Sequence, residues 1–138
     1  LKLHTENSEY WKAVAHAEFK IGNTISCIDA YEEASKLDPE DKEIWLNWSF
    51  VYYEQGDYLK ATDILAESFD TITDDAELLY RMTVYLIEAG KFKEAFTYLE
   101  NALILDFDGH TALFDFFPKI ETQKALHKII EQFRKENH

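Results

Sequence analysis

One pattern recurs in three stretches of the chain: SEYWKAVAHAEFKIG at residues 8–22, KEIWLNWSFVYYEQG at residues 42–56 and AELLYRMTVYLIEAG at residues 76–90. In each stretch the large apolar side chains recur at the three- and four-residue spacing of an amphipathic helix. The closing glycines, Gly22, Gly56 and Gly90, stand 34 residues apart. Glycine at a helix end suits the positive φ that turns the chain back. The pattern therefore predicts a helix that ends at each glycine.

Each glycine is followed by a second stretch with helical spacing, and these stretches span residues 24–37, 58–71 and 92–105. Near the start of each stretch, one aligned position holds Cys27, Ala61 or Ala95. Small residues at this point allow two helices to approach closely, because interiors are close-packed. Each 34-residue unit is therefore predicted to be a pair of amphipathic helices.

Short polar residues stand where helix N-caps are needed. Asn23 and Asp57 precede the second helices of the first two units, and Asp74 and Asp75 precede the third unit. Side chains of this type accept hydrogen bonds from the free backbone N–H groups of a first helical turn. We expect these residues to cap the helices that follow them.

Alignment on the glycines brings further positions into register: Trp11, Trp45 and Leu79, then Tyr31, Leu65 and Leu99, then Ala34, Ser68 and Ala102. This pattern resembles the tetratricopeptide repeat, which reads W-x2-L-G-x2-Y, then A-x3-F, then a late A and P. The resemblance covers residues 8–109, although Ala15, Ser49 and Thr83 stand where the family has glycine. It implies an all-α fold, an α-solenoid of antiparallel helix pairs wound as a right-handed superhelix.

The predicted organisation is one domain with tetratricopeptide-like repeats at 8–41, 42–75 and 76–109, flanked by residues 1–7 and 110–138. Leu1-Lys2-Leu3 matches Ser35-Lys36-Leu37 at the repeat offset. We therefore expect residues 1–7 to be the tail of a preceding repeat and the chain to be a fragment of a longer array.

Residues 110–138 are predicted to form a degenerate repeat of capping helices. They begin like a fourth unit, but Pro118 interrupts the first helix, which we expect to end by Phe117. Lys124 stands where the earlier units have glycine. A second helix is predicted at about 121–135, with apolar residues at helical spacing. Solenoids need an atypical end repeat with a polar outer face, and this segment fits that need.

Charge excludes several classes of function. The 138 residues contain 14 Lys and Arg against 27 Asp and Glu, a formal net charge of −13. This balance argues against a nucleic-acid binder, which needs a basic face, and against docking on anionic lipid. No run of apolar residues is long enough to predict a membrane span. The lone Cys27 predicts no internal disulfide and is expected to be a buried small residue. A cytoplasmic location is compatible with this composition.

Motifs for catalysis or metal binding are missing from the sequence. No two histidines are spaced i, i+4, and there is neither a G-x-S-x-G motif nor a glycine-rich phosphate loop. Asp106-Phe107-Asp108-Gly109 faintly resembles a calcium loop but lacks its later acidic ligands. We interpret these four residues as an inter-repeat turn. The sequence therefore predicts no enzyme activity, no catalytic residue, no metal and no cofactor.

The resemblance implies a groove lined by the first helix of each unit, where a protein or peptide partner binds. Groove-facing positions in the first two units are Glu9, Lys12, Ala13, His16, Phe19, Lys20, Glu43, Leu46, Asn47, Phe50, Tyr53 and Glu54; the third unit gives Glu77, Tyr80, Arg81, Val84, Ile87 and Glu88. The residues predicted to contact a ligand are Lys12, His16, Asn47, Phe50, Tyr53, Tyr80, Arg81 and Val84. The predicted function is a protein–protein interaction module or scaffold that binds a peptide or helix.

Three alternatives stay open at this point. Lys12, Asn47 and Arg81 match positions of the family's carboxylate clamp, which grips the C-termini of chaperones, but His16 and Glu77 depart from it. The rings of Phe50, Tyr53 and Tyr80 are either ligand anchors or contacts with adjacent repeats and the chain's own cap. Finally, the array is either a groove-binding module or a structural spacer or self-association module of a larger protein without a dedicated peptide ligand, and an open repeat end would allow it to form a homodimer.

Overall fold

The structure, a computed structural model, describes residues 6–137, and the helices account for most of them. Its elements are α1 (Ser8–Lys20), α2 (Thr24–Leu37), α3 (Lys42–Glu54), α4 (Tyr58–Ser68), α5 (Ala76–Glu88), α6 (Phe92–Leu105), a 3-10 segment (Phe107–Phe116) and α7 (Ile120–Glu136). No strand occurs within residues 6–137. The predicted all-α fold is confirmed. Leu1-Lys2-Leu3, predicted to end a preceding repeat, lies outside the described residues.

The chain divides into two compact units, with the boundary between Asp74 and Asp75. In the first unit α1 packs on α2, α3 packs on α4, and α2 also contacts α3. In the second unit α5 packs on α6, and the 3-10 segment lies against both helices. Helix pairs are thus the building blocks of each unit.

The three repeat glycines turn the chain as predicted. Gly22, Gly56 and Gly90 have φ angles of 83°, 78° and 79°. A Cβ atom placed at any of them would meet nothing within 4 Å, so backbone conformation, and not space, requires glycine there. After Gly56, the Asp57 N–H donates to the Tyr52 carbonyl at 2.9 Å, which is the bond of a Schellman motif.

Aspartates cap three of the helices, and two of these caps, Asp57 and Asp75, were predicted from the sequence. Asp57 accepts from the Lys60 N–H and Asp75 from the Leu78 N–H, both at 3.2 Å. The prediction is wrong for Asp74, which has a φ of 55° and precedes the cap. It is also wrong for the Asn23 side chain, which stands at the N-cap position but donates to Glu18 Oε2 instead. Glu18 draws the amide away from the free N–H groups.

Small residues close each helix pair. Cys27, Ala61 and Ala95 are completely buried, as expected for points of close helix approach. Burial raises the pKa of the Cys27 thiol to about 11, with a further contribution from the Glu18 carboxylate. Cys27 therefore behaves as a small apolar residue and not as a reactive thiolate.

The C-terminal segment differs from the predicted helix at residues 110–117. A 3-10 segment begins earlier, at Phe107, so Phe107, Asp108 and Gly109 belong to it and do not form a separate turn. Because Pro118 lacks an N–H and restricts the residue before it, the segment ends at Phe116, and its last bond is of the i→i+3 type, from the Phe117 N–H to the Phe114 carbonyl. Helix α7 begins and ends within one residue of its predicted bounds, and Lys124 lies inside it.

We expect Gly56→Ala to lower the free energy of unfolding by about 1–2 kcal/mol, the cost of a Cβ in left-handed backbone. Gly56→Asn should cost less, because asparagine tolerates this conformation better. Urea unfolding followed by circular dichroism measures both. Equal stability of the wild type and the alanine variant would contradict the requirement for positive φ at this turn.

Candidate functional site

A cavity of about 320 Å³ opens in the first unit between α1 and α3. We call it the α1–α3 groove, and its lining residues are His16, Phe19, Tyr31, Glu43, Asn47, Phe50 and Val51. Helical spacing explains the arrangement, since side chains three or four residues apart share one face of a helix. The groove brings together three of the residues that the sequence singled out: His16, Asn47 and Phe50.

The groove has an apolar interior that is open to solvent. Tyr31 and Val51 are buried, whereas Phe19 keeps 39% of its surface exposed. Burial raises the pKa of Tyr31 to about 12, so its phenol is neutral at physiological pH. Phe50 is half-buried and stacks on Tyr53 with ring centroids 5.8 Å apart, which extends the aromatic surface along α3. Apolar side chains of a ligand can therefore be buried here.

Two polar side chains of the groove are available to a ligand. Within residues 6–137, neither the His16 imidazole nor the Asn47 amide has a hydrogen-bonding partner. An amide offers both a donor and an acceptor, which is the pair that extended peptide backbone needs. Asn47 is exposed, so its hydrogen bonds with water can be exchanged for bonds with a ligand.

Lys12 is held at the edge of the groove by three carboxylates. Its ammonium lies 2.8 Å from Asp41 Oδ2, 3.3 Å from Glu9 Oε1 and 3.4 Å from Glu43 Oε2. The hydrogen bond to Asp41 raises the pKa of Lys12 above its ordinary value and outweighs burial, which acts in the opposite direction. The side chain is only 17% exposed. Lys12 is therefore already neutralised by its own chain, and this argues against a carboxylate clamp.

The remaining predicted contact residues lie on α5 in the second unit, where two of them are buried. Val84 is 1% exposed and Tyr80 6%. The Tyr80 hydroxyl donates to the Asp106 carbonyl at 2.6 Å, and a Cβ on Gly109 would lie 3.0 Å from the Tyr80 ring. Tyr80 thus packs against the chain's own C-terminal segment, which was one of the alternatives left open by the sequence.

Arg81 is partly engaged within the second unit. Its guanidinium lies over the Phe116 ring, 4.9 Å from the ring centroid, and its Nη1 donates to the Tyr85 hydroxyl at 3.4 Å. The side chain is half-buried. A cation over an aromatic face is stabilised by the ring quadrupole, so the 3-10 segment holds Arg81 in place.

Sequence reasoning missed two lining residues and one ion pair. Tyr31 and Val51 occupy apolar positions of α2 and α3, and each also forms a wall of the groove because these two helices pack together. Glu43 was assigned to the groove without its contact to Lys12. The sequence offered one signal for this contact. Asp41 and Glu43 stand at the start of the first helix in the repeat that follows the one containing Lys12.

The part of the chain that the structure describes contains neither a metal-binding cluster nor a membrane-spanning helix. Within residues 6–137, no group of three or more His, Cys, Asp and Glu side chains is placed to hold a metal ion. In the same range, no helix combines the length and the apolar character needed to cross a bilayer.

We expect Lys12→Met to lower the free energy of unfolding by about 1–3 kcal/mol, because charge-assisted hydrogen bonds are lost and three carboxylates repel one another. Added salt should recover part of this loss by screening the repulsion. Lys36→Met is the matched control, since its ion pair with Glu33 is exposed and should contribute less than about 1 kcal/mol. Urea unfolding at low and high salt measures both variants, and equal losses would contradict a structural role of Lys12.

Comparison with known proteins defines the fold. No protein-family model matches the sequence. The "Crystal structure of MamA protein" is similar with a TM-score of 0.65 and 20% identity, over 74% of this chain and 56% of that one. The "Crystal structure of MamA" has a TM-score of 0.66 and 20% identity, over 78% and 63%. "MamA MSR-1 C2" has a TM-score of 0.60 and 18% identity, over 96% and 79%.

The chain spans about 56% and 63% of the first two of these structures. At this level of identity, the similarity concerns the fold. The α-solenoid of helix pairs that the sequence predicted is confirmed, and the fold of this chain is of the tetratricopeptide-repeat type.

Proposed function

We propose that this chain is a protein–protein interaction module that binds a peptide segment of its partner in the α1–α3 groove. The observation that carries this proposal is a cavity of about 320 Å³ with exposed aromatic surface and polar side chains open to a ligand. Pockets of this kind, mostly apolar with a few polar groups, are typical of binding sites. The tetratricopeptide-like fold is consistent with an interaction or scaffold role in general.

The groove supplies two kinds of contact. Phe19 and Phe50 offer apolar surface to an inserted side chain, and aromatic anchors of this type dominate binding energy at interfaces. Asn47 and His16 offer hydrogen bonds to the backbone of the ligand. The affinity would come from the rings, and the orientation of the peptide from the polar pair.

The groove is preformed, which lowers the entropic cost of binding. Lys12 joins α1 to the start of α3 through Asp41, and the buried Tyr31 supports both walls from α2. We therefore expect a peptide to bind without a large rearrangement of the helices.

The proposed contacts are divided between the two units. Lys12, His16, Asn47, Phe50 and Tyr53 belong to the first unit, and the proposal rests on them, with Lys12 acting by positioning the helices. Arg81 remains a proposed contact of the second unit. Tyr80 and Val84 are buried, so their contribution would be to the shape of α5.

We expect Phe50→Ala to weaken the binding of groove-binding peptides about 10-fold or more, because an aromatic anchor is lost. The peptides are first selected from a random phage-displayed library against the whole chain and then titrated against each variant. Asn47→Ala should give a smaller loss, of about 3- to 10-fold, for one hydrogen bond. Phe92→Ala, which removes an equally large exposed ring outside the groove, is the matched control. Selected peptides that bind Phe50→Ala as they bind the wild type would contradict the proposal.

One observation favours the alternative of self-association. Trp11 and Val14 line an open cavity of about 610 Å³ between α1 and α2, whereas the aligned Trp45 and Trp48 are each only 6% exposed. A second copy could cover the surface around Trp11. However, four carboxylates surround it, namely Glu18, Asp29, Glu32 and Glu33. Because these would repel their symmetry mates, we place self-association second.

We expect the chain to be monomeric at low salt, where repulsion between these carboxylates is strongest. Sedimentation equilibrium over a range of protein concentrations measures the mass. A mass that rises with concentration in the wild type, and stays constant in Trp11→Ala, would instead establish the self-association module.

A further inference from the structure

We infer that the α1–α3 groove selects a segment in which a basic side chain stands beside an apolar one. This inference rests on the proposed function, because it names the chemistry of the ligand for the same groove. It reverses the sign of the charge that the family's carboxylate clamp recognises.

The charge of the groove is negative. Among the lining residues within 6–137, Glu43 is the only one with a formal charge, and its side chain is 68% exposed. Lys12 lies nearby, but its shortest contact, at 2.8 Å, is with Asp41, and Glu43 is farther away at 3.4 Å. At this edge of the groove, the Lys12 ammonium contacts the three carboxylates of Glu9, Asp41 and Glu43. The excess of negative charge favours a cationic ligand.

An anionic ligand meets two obstacles at the same place. Its carboxylate would approach Glu43, and like charges at close range repel one another. The Lys12 ammonium has three donors, and carboxylates of the chain already lie within 3.4 Å of it. A ligand carboxylate would have to displace one of these partners before it gained a bond.

The apolar half of the ligand follows from the rest of the lining. Phe19, Phe50 and Val51 lie beside Glu43 in the same cavity. A Leu side chain in the cavity would bury its surface against these residues. A neighbouring Arg would place its guanidinium at Glu43, and it could also lie over an aromatic ring of the groove. One apolar and one basic residue, adjacent in a peptide, therefore match what the groove presents.

The formal net charge of −13 attracts any cation toward the chain, and this long-range attraction carries no information about the groove. A test of the inference must therefore separate the charge of Glu43 from the charge of the whole molecule. Glu67 offers the matched comparison, since it is exposed on α4 of the same unit and lies outside the groove.

The probes are three synthetic peptides of about eight residues with blocked ends, a length within reach of a groove-bound segment. All three carry Leu at alternate positions, and the remaining positions are Arg, Gln or Glu. Each is titrated into the whole chain and its variants at physiological salt, and fluorescence anisotropy gives the dissociation constant. We expect the Leu/Arg peptide to bind about 10-fold more tightly than the Leu/Gln and Leu/Glu peptides.

Glu43→Gln should weaken binding of the Leu/Arg peptide about 3- to 10-fold. It should change the dissociation constant of the Leu/Gln peptide by less than about 2-fold. Glu67→Gln should change the dissociation constants of both peptides by less than about 2-fold, because it alters only a charge outside the groove. Glu43→Gln also removes a partner of Lys12, so Glu9→Gln is the second control. Glu9 contacts Lys12 but does not line the groove, and its replacement should not change the preference for Arg.

Two outcomes would overturn the inference in distinguishable ways. If the Leu/Glu peptide binds as tightly as the Leu/Arg peptide and Phe50→Ala abolishes both, the groove binds peptides but does not select charge. If the Leu/Arg peptide binds Phe50→Ala as it binds the wild type, and Glu67→Gln weakens it as much as Glu43→Gln, binding is non-specific attraction. The proposed function would then fall together with the inference.

Discussion

The carboxylate of Asp41 fixes the first helix of one repeat to the first helix of the next. One oxygen caps α3 by accepting from the Glu43 N–H at 3.1 Å, and the other binds the Lys12 ammonium at 2.8 Å. The N-terminus of α3 and the middle of α1 are thereby held by the same side chain. The α1–α3 groove lies between these two helices, which this contact links.

The same contact determines the electrostatics of the groove. A lysine at this position of a tetratricopeptide-like repeat suggests a binding site for carboxylates, but here the chain's own carboxylates have taken that place. The ammonium then stabilises the fold, and Glu43, which lines the groove and stays exposed, gives the groove its charge. The type and position of Lys12 in the sequence therefore did not settle its role, because that role depends on which charges lie within about 4 Å of its ammonium.

Equivalent positions in the two units have different environments. Phe50 and Val84 occupy the same place in their repeats, yet Phe50 borders an open cavity and Val84 is buried. In the second unit the segment that follows α6 lies against α5, where Tyr80 donates to the Asp106 carbonyl and Arg81 lies over Phe116. Residues outside the repeats thus decide how much of a repeat's surface is available.

The sequence by itself determined the helix pairs, because glycine φ angles, small residues at Cys27, Ala61 and Ala95, and apolar periodicity are local properties. The resemblance to the tetratricopeptide repeat further implied that His16, Asn47 and Phe50 face one groove, whereas helical spacing alone relates only Asn47 and Phe50, which lie on the same helix. Only the tertiary structure decided that Lys12 is neutralised by acids of the next repeat and that Tyr80 is covered by the segment after α6. Lys12 and Asp41 are 29 positions apart and Tyr80 and Asp106 are 26 apart, and no local pattern specifies which of such distant partners come within bonding distance.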